Sequence, residues 1–102
     1  MRILVFFDLP TLTKADKRAY TLFRRFLLQD GYDMLQWSVY SRIISGEDAV
    51  KKHQQKLVKN LPKKGSVRCM KVSEKQYAAM EILVGTVTVQ EEKVSLQQVL
   101  LF

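Results

Sequence analysis

After Arg2, residues 3–7 form an unbroken apolar run rich in β-branched and aromatic side chains, the pattern of a central strand buried on both faces. Asp8-Leu9-Pro10 closes it, because proline brings no N–H to a central ladder. The period then lengthens to that of a helix. Ala15, Ala19, Leu22, Phe23, Phe26 and Leu27 share one stripe, Thr13 and Asp16 have the spacing of a capping box, and Gly31 supplies the stop.

Residues 32–44 return to period two, with Leu35, Trp37, Val39 and Ile43 alternating against Gln36, Ser38, Tyr40 and Arg42. The run is long for one strand, so a bend or tight hairpin is expected near residues 36–38. Ser45 with Asp48 is expected to cap a second helix, whose apolar face is Ala49, Val50, His53, Leu57 and Leu61. Pro62 ends it, and Lys63-Lys64-Gly65 turns the chain into a strand over residues 66–72. Ser73 to Gln76 has capping-box spacing for one short turn, and residues 80–89 again look strand-like.

The order strand, helix, long or paired strand, helix, strand predicts an α+β fold, a ferredoxin-like split βαβ sandwich spanning residues 1–85. Residues 86–102 form a C-terminal extension, apolar from Val99 to Phe102, expected to pair with a sheet edge of the same or a partner chain. Two amphipathic helices cover only one sheet face, while the alternation leaves apolar residues on both. A second copy of the chain is the simplest cover for the other, so a homodimer is expected.

Charge sharpens the picture. The 102 residues carry a formal net charge of +7, and the excess is concentrated: residues 1–75 hold 16 Lys and Arg against 7 Asp and Glu, whereas residues 76–102 hold one Lys against three Glu. So basic a compact domain points to a polyanionic partner, nucleic acid before membrane or acidic protein. The single cysteine, Cys69, allows no internal disulfide and no cysteine-based zinc site. The short N-terminal apolar run is neither signal peptide nor membrane span, and the chain is read as cytoplasmic.

On the first helix Lys14, Lys17, Arg18, Arg24 and Arg25 fall within about a third of the circumference, opposite the apolar stripe. Charge runs are usually solvated faces. No acid interrupts this one for i,i+4 pairing, which favours phosphate contact. Lys51, Lys52, Lys56, Lys59, Lys63 and Lys64 make a more diffuse field, suited to backbone attraction. Asp8, held by a rigid strand end, is either a turn residue or a metal or acid/base carboxylate; alone it is a poor Mg²⁺ site, whereas two copies across a two-fold axis make a credible one. His53 reads as a packed helix histidine and Cys69 as core. The four isolated glycines form no phosphate-cradling loop.

Several segments, taken in order, carry a family likeness: Val5-Phe6-Phe7-Asp8-Leu9-Pro10; the helix with Arg18, Tyr20, Phe23, Arg24 and Arg25; and Met34-Leu35-Gln36-Trp37-Ser38-Val39-Tyr40-Ser41-Arg42. The chain resembles the CRISPR-associated protein two family, the small partner of the integrase that captures new spacers. Leu61-Pro62, Gly65-Ser66-Val67-Arg68 and Glu74-Lys75-Gln76 resemble the branch found beside Cas-nine-type, type II systems. The likeness covers residues 1 to about 85. Ser41 departs from the acidic residue of many relatives.

The resemblance implies a ferredoxin-like homodimer lying between two dimers of the CRISPR-associated protein one integrase and spanning duplex DNA, the prespacer, without reading its sequence. Lys14, Lys17 and Arg18 are then the foremost DNA contacts, with Arg24 and Arg25 behind them. Some members of the family are assigned metal-dependent nuclease activity, which would make Asp8 the catalytic residue and Mg²⁺ ligand of an endonuclease acting on RNA or DNA. A third reading is a ferredoxin-like RNA-binding module. It ranks lowest because residues 66–72 contain no aromatic side chain to stack a base.

Overall fold

The computed structural model describes residues 1–85 and orders them as β1 (Arg2–Asp8), α1 (Lys14–Gln29), β2 (Asp33–Gln36), β3 (Val39–Ile43), α2 (Glu47–Lys59), β4 (Ser66–Val72) and α3 (Glu74–Ala78). The strands make one four-stranded antiparallel sheet in the order β2-β3-β1-β4. This is the expected α+β arrangement, with the apolar run of β1 inside the sheet.

The two faces of β1 have different fates. Its odd residues Ile3, Val5 and Phe7 pack against Phe23 and Leu27 of α1 and Val50 and Leu57 of α2, with Tyr32, Tyr40 and Ile44 closing the cluster. Burial of each large side chain contributes roughly 1.5–3 kcal/mol. The even residues Arg2, Leu4, Phe6 and Asp8 share the second face with their partners Ile43, Ser41 and Val39 of β3 and Val72, Met70, Arg68 and Ser66 of β4. α3 packs there at the Arg2 end, through Glu74 and Tyr77.

Both expected capping boxes are present. Thr13 Oγ1 accepts from Asp16 N–H at 3.0 Å while Asp16 accepts from Thr13 N–H at 3.2 Å. Ser73 and Gln76 do the same at 3.0 and 2.9 Å. The expected hairpin occurs too, with the turn at Trp37 and Ser38 between β2 and β3.

Other expectations need correction. Trp37 sits in the turn, not on an alternating strand, and the turn resets the register so that Tyr40 faces the core and Ile43 is half-exposed. Ser45 does not cap α2. Gly46 does, at φ 89, and no side chain bonds to that helix end; Glu47 and Asp48 in the first turn meet the helix dipole instead. Leu22 and Leu61 are half-exposed, because they line a groove of about 640 Å³ between α1 and the loop after α2. Cys69 is exposed, on a strand paired only with β1 among the described residues, and the Gln54 amide of α2 reaches its Sγ at 3.9 Å. Residues 80–85 form no strand, and the rest of that expected strand, like the proposed pairing of the extension, lies outside the described residues. No helix among the described residues is long and apolar enough to cross a membrane.

Candidate nucleic-acid interface

Asp8 ends β1 with its side chain exposed on the second face, opposite Ser66. Two backbone contacts hold it there. Gly65, at φ +91, lies so close that a Cβ would come within 2.6 Å of the Asp8 carbonyl and 2.7 Å of Leu9 Cδ2, so only glycine fits. Phe7 N–H donates to the Ser38 carbonyl at 3.1 Å, drawing the β2–β3 turn against the strand end. Asp8, Trp37 and Arg68 thereby border one open cleft of about 300 Å³.

No three His, Cys, Asp or Glu side chains gather into a metal-binding group among the described residues. Mg²⁺ demands octahedral oxygen ligands and is usually held by one or two carboxylates together with waters and substrate phosphates. The Asp8 carboxylate of one chain does not make such a site. Asp8 of a second copy would supply a second carboxylate.

α1 presents the basic stripe as expected: Lys14, Lys17, Arg18, Arg24 and Arg25 are all exposed. Lys14, Lys17, Arg18 and Arg25 form no ion pair among the described residues. Arg24 differs, because its Nε donates to the Tyr40 hydroxyl at 2.9 Å and ties α1 to β3. In the diffuse field, Lys56 and Lys64 are drawn to Asp30 at 3.4 Å and Asp16 at 4.0 Å. Asp16 itself sits below the ordinary carboxylate range, chiefly because the Thr13 backbone N–H donates to it.

His53 is packed, as its place in the apolar stripe predicts, and its Nδ1 meets Asp30 Oδ2 at 2.9 Å. Sequence reasoning missed Asp30. It is nearly buried and also draws Arg42 at 3.5 Å, so it joins the end of α1 to β3 and α2. A signal existed: an acid at a helix C-terminus opposes the dipole and calls for cations beside it. Trp37, which alternation alone places on a strand, is a second such residue. It is 76% exposed and stacks on Tyr20 with ring centroids 6.3 Å apart.

Residues 1–80 match the family model described as CRISPR associated protein Cas2. The chain is similar to a protein of Acidovorax ebreus called CRISPR-associated endoribonuclease Cas2, 62% identical over 102 residues and the full length of both. A Treponema denticola protein of the same name is 42% identical over 88 residues, covering 83% of this chain and 84% of its own. The crystal structure of Streptococcus pyogenes Cas2 matches with a TM-score of 0.64 over 82% of this chain and 100% of its own. At 20% identity that likeness speaks for the fold alone.

Proposed function

The chain belongs to the CRISPR-associated Cas2 family, and on that premise we propose that it is a dimeric scaffold that grips duplex DNA by its backbone and joins dimers of the CRISPR-associated protein one integrase during spacer acquisition. The observation that carries this reading is the face of α1 on which Lys14, Lys17 and Arg18 stand exposed without acidic partners among the described residues. Unpaired cations on a well-capped helix suit phosphate neutralisation, which positions a duplex without reading its bases. Half-exposed Ile43 and Met70 on the second sheet face favour a covering second copy, which would double the basic surface.

The test is the salt dependence of duplex binding. Each neutralised phosphate adds about −0.9 to the slope of log affinity against log salt. Replacing Lys14, Lys17 and Arg18 together with Ala should flatten that slope by about 2.7 and weaken all sequences alike. An unchanged slope would move the interface off α1.

A second reading is a Mg²⁺-dependent endonuclease. Its support is the name carried by the relatives, endoribonuclease, together with the exposed carboxylate at a braced strand end. Two Asp8 side chains meeting in a dimer would hold the ion, which when bound supplies Lewis-acid chemistry and an activated water. Asp8→Asn should then abolish cleavage while duplex binding and dimerisation persist. If integration by the assembled complex also survives in that variant, the scaffold is the main function; if integration collapses, chemistry at Asp8 belongs to it.

A further inference from the structure

The turn between β2 and β3 holds an unusual side chain for a solvated tip. Trp37 is 76% exposed, yet its ring is ordered against Tyr20 at 6.3 Å and an interplanar angle of 24°, and Tyr20 rests in turn on Phe7 at 5.9 Å. Ser38, beside it, is the one non-glycine residue at positive φ among the described residues (φ 65), a conformation uncommon for a side-chain-bearing residue. A large apolar ring is thus fixed in place and left facing water.

Cations stand on two sides of it. Tyr20 follows Lys17 by three residues and precedes Arg24 by four, so the stacked pair lies at the border of the basic stripe. On the other side Arg68 shares the cleft with Trp37 and forms no ion pair among the described residues. Asp8 is the one acid of that cleft. A rigid aromatic face flanked by cations is the arrangement that receives a nucleotide whose base is free to stack, since every base has a π-face and every link a phosphate. A base inside a duplex has both faces covered by its neighbours and offers none to Trp37.

We propose that Trp37 binds an unpaired nucleotide, stacking its base on the indole while Lys17 and Arg68 take the flanking phosphates. The inference rests on the nucleic-acid-binding reading and deepens it, assigning to the strand-end cleft a preference for unpaired over paired strands. Because Tyr20 already orders the ring, little conformational freedom is lost on binding. A contact with a second copy of the chain is the rival, because Asp8 and Arg68 stand on the sheet face that a second copy would cover, and the emission of Trp37 separates the two.

Trp37 is the single tryptophan of the chain, so its emission reports on this site alone. The protein should be titrated with a short oligothymidylate, with an abasic strand of equal length, and with the blunt duplex, while labelled strands report binding independently by anisotropy. The expected result is quenching by oligothymidylate and little by the abasic strand or the duplex. Trp37→Ala should weaken oligothymidylate about tenfold and leave the abasic strand unchanged, and Trp37→Phe should restore most of the loss. Binding by anisotropy with unchanged emission would overturn this inference and leave the proposed function standing. Emission that follows protein concentration but not oligonucleotide would assign Trp37 to self-association and also overturn it. An equal loss for both strands in Trp37→Ala would do the same, and failure to bind any nucleic acid would overturn both readings.

Discussion

The guanidinium of Arg2 lies 3.7 Å over the ring of Tyr77, although 75 positions separate them along the chain. Arg2 is 1% exposed, and its Nε also faces both carboxylate oxygens of Glu74 at 3.1 Å. α3 is therefore fastened to the start of β1, at the opposite end of that strand from Asp8. The short helix covers one end of the second sheet face and leaves the carboxylate end accessible.

Removing one partner of that pair should be costly, because a buried guanidinium would lose its counter-charge. Glu74 is itself partly exposed, which lowers the loss below that of a fully buried pair. Glu74→Ala should reduce unfolding stability by about 2 kcal/mol, read as a lower midpoint in urea. A midpoint within error of the parent would show that stacking on Tyr77 alone holds Arg2.

Tyr32 presents the opposite case. Its ring is in the core, but its hydroxyl is buried without a hydrogen-bond partner among the described residues. Tyr32→Phe should therefore stabilise the protein by about 1 kcal/mol. Burial pushes the phenol up to about 12. Between the ordinary value near 10 and that limit the folded state holds a proton that the unfolded state releases, so stability falls as pH rises. The variant should lack that alkaline component in unfolding measured from pH 9 to 12.

The cap of α1 gives an acid-side prediction. Thr13→Ala should lose about 1 kcal/mol of stability, since an orphan helix N–H loses its acceptor. Asp16, lowered chiefly by the Thr13 backbone N–H, contributes stability above the ordinary carboxylate value that is lost as pH falls through its folded value. Asp16→Asn should accordingly be less stable than the parent near neutrality and converge with it once pH falls below the lowered folded value of Asp16.

Gly65 should accept no side chain. An alanine there would meet the Asp8 carbonyl and Leu9 while forced into a left-handed backbone, and the expected destabilisation is about 2 kcal/mol or more. The amide resonances that move most should be those of Asp8, Leu9 and Ser66; shifts confined to the loop would show that the strand end is not braced there.

Much of this was legible because local and global signals agree. β1 is legible from its apolar run, α1 from its stripe and cap, β4 from the turn at Lys63-Lys64-Gly65 before it, and the family likeness from Val5 to Pro10. What misled was geometry that period counting does not carry. The turn at Trp37 and Ser38 has no Gly or Pro to fix its position, so a bend is expected there but its change of register is not, and Tyr40 falls on the wrong side in the sequence reading. Cys69 alternates toward the helix side as read, but it sits on a strand paired on one side among the described residues, and strand order is not a local property. Asp30 looked like a helix-end polar residue because its partners, Arg42, His53 and Lys56, come from two later elements.

The charges at the two ends of β1 also bear on how faithfully the chain folds. Arg2 and Asp8 both occupy even positions of a strand whose odd positions lie under the helices. If β1 paired one residue out of step, both would be carried beneath α1 and α2, and Ile3, Val5 and Phe7 would be turned out. Burying a cation and an anion at opposite ends of a strand, too far apart to neutralise each other, is far costlier than the hydrogen bonds such a ladder could recover. The same two residues that serve the second face thus act as proofreaders of sheet assembly, making the shifted pairing a rare and short-lived alternative rather than a kinetic trap.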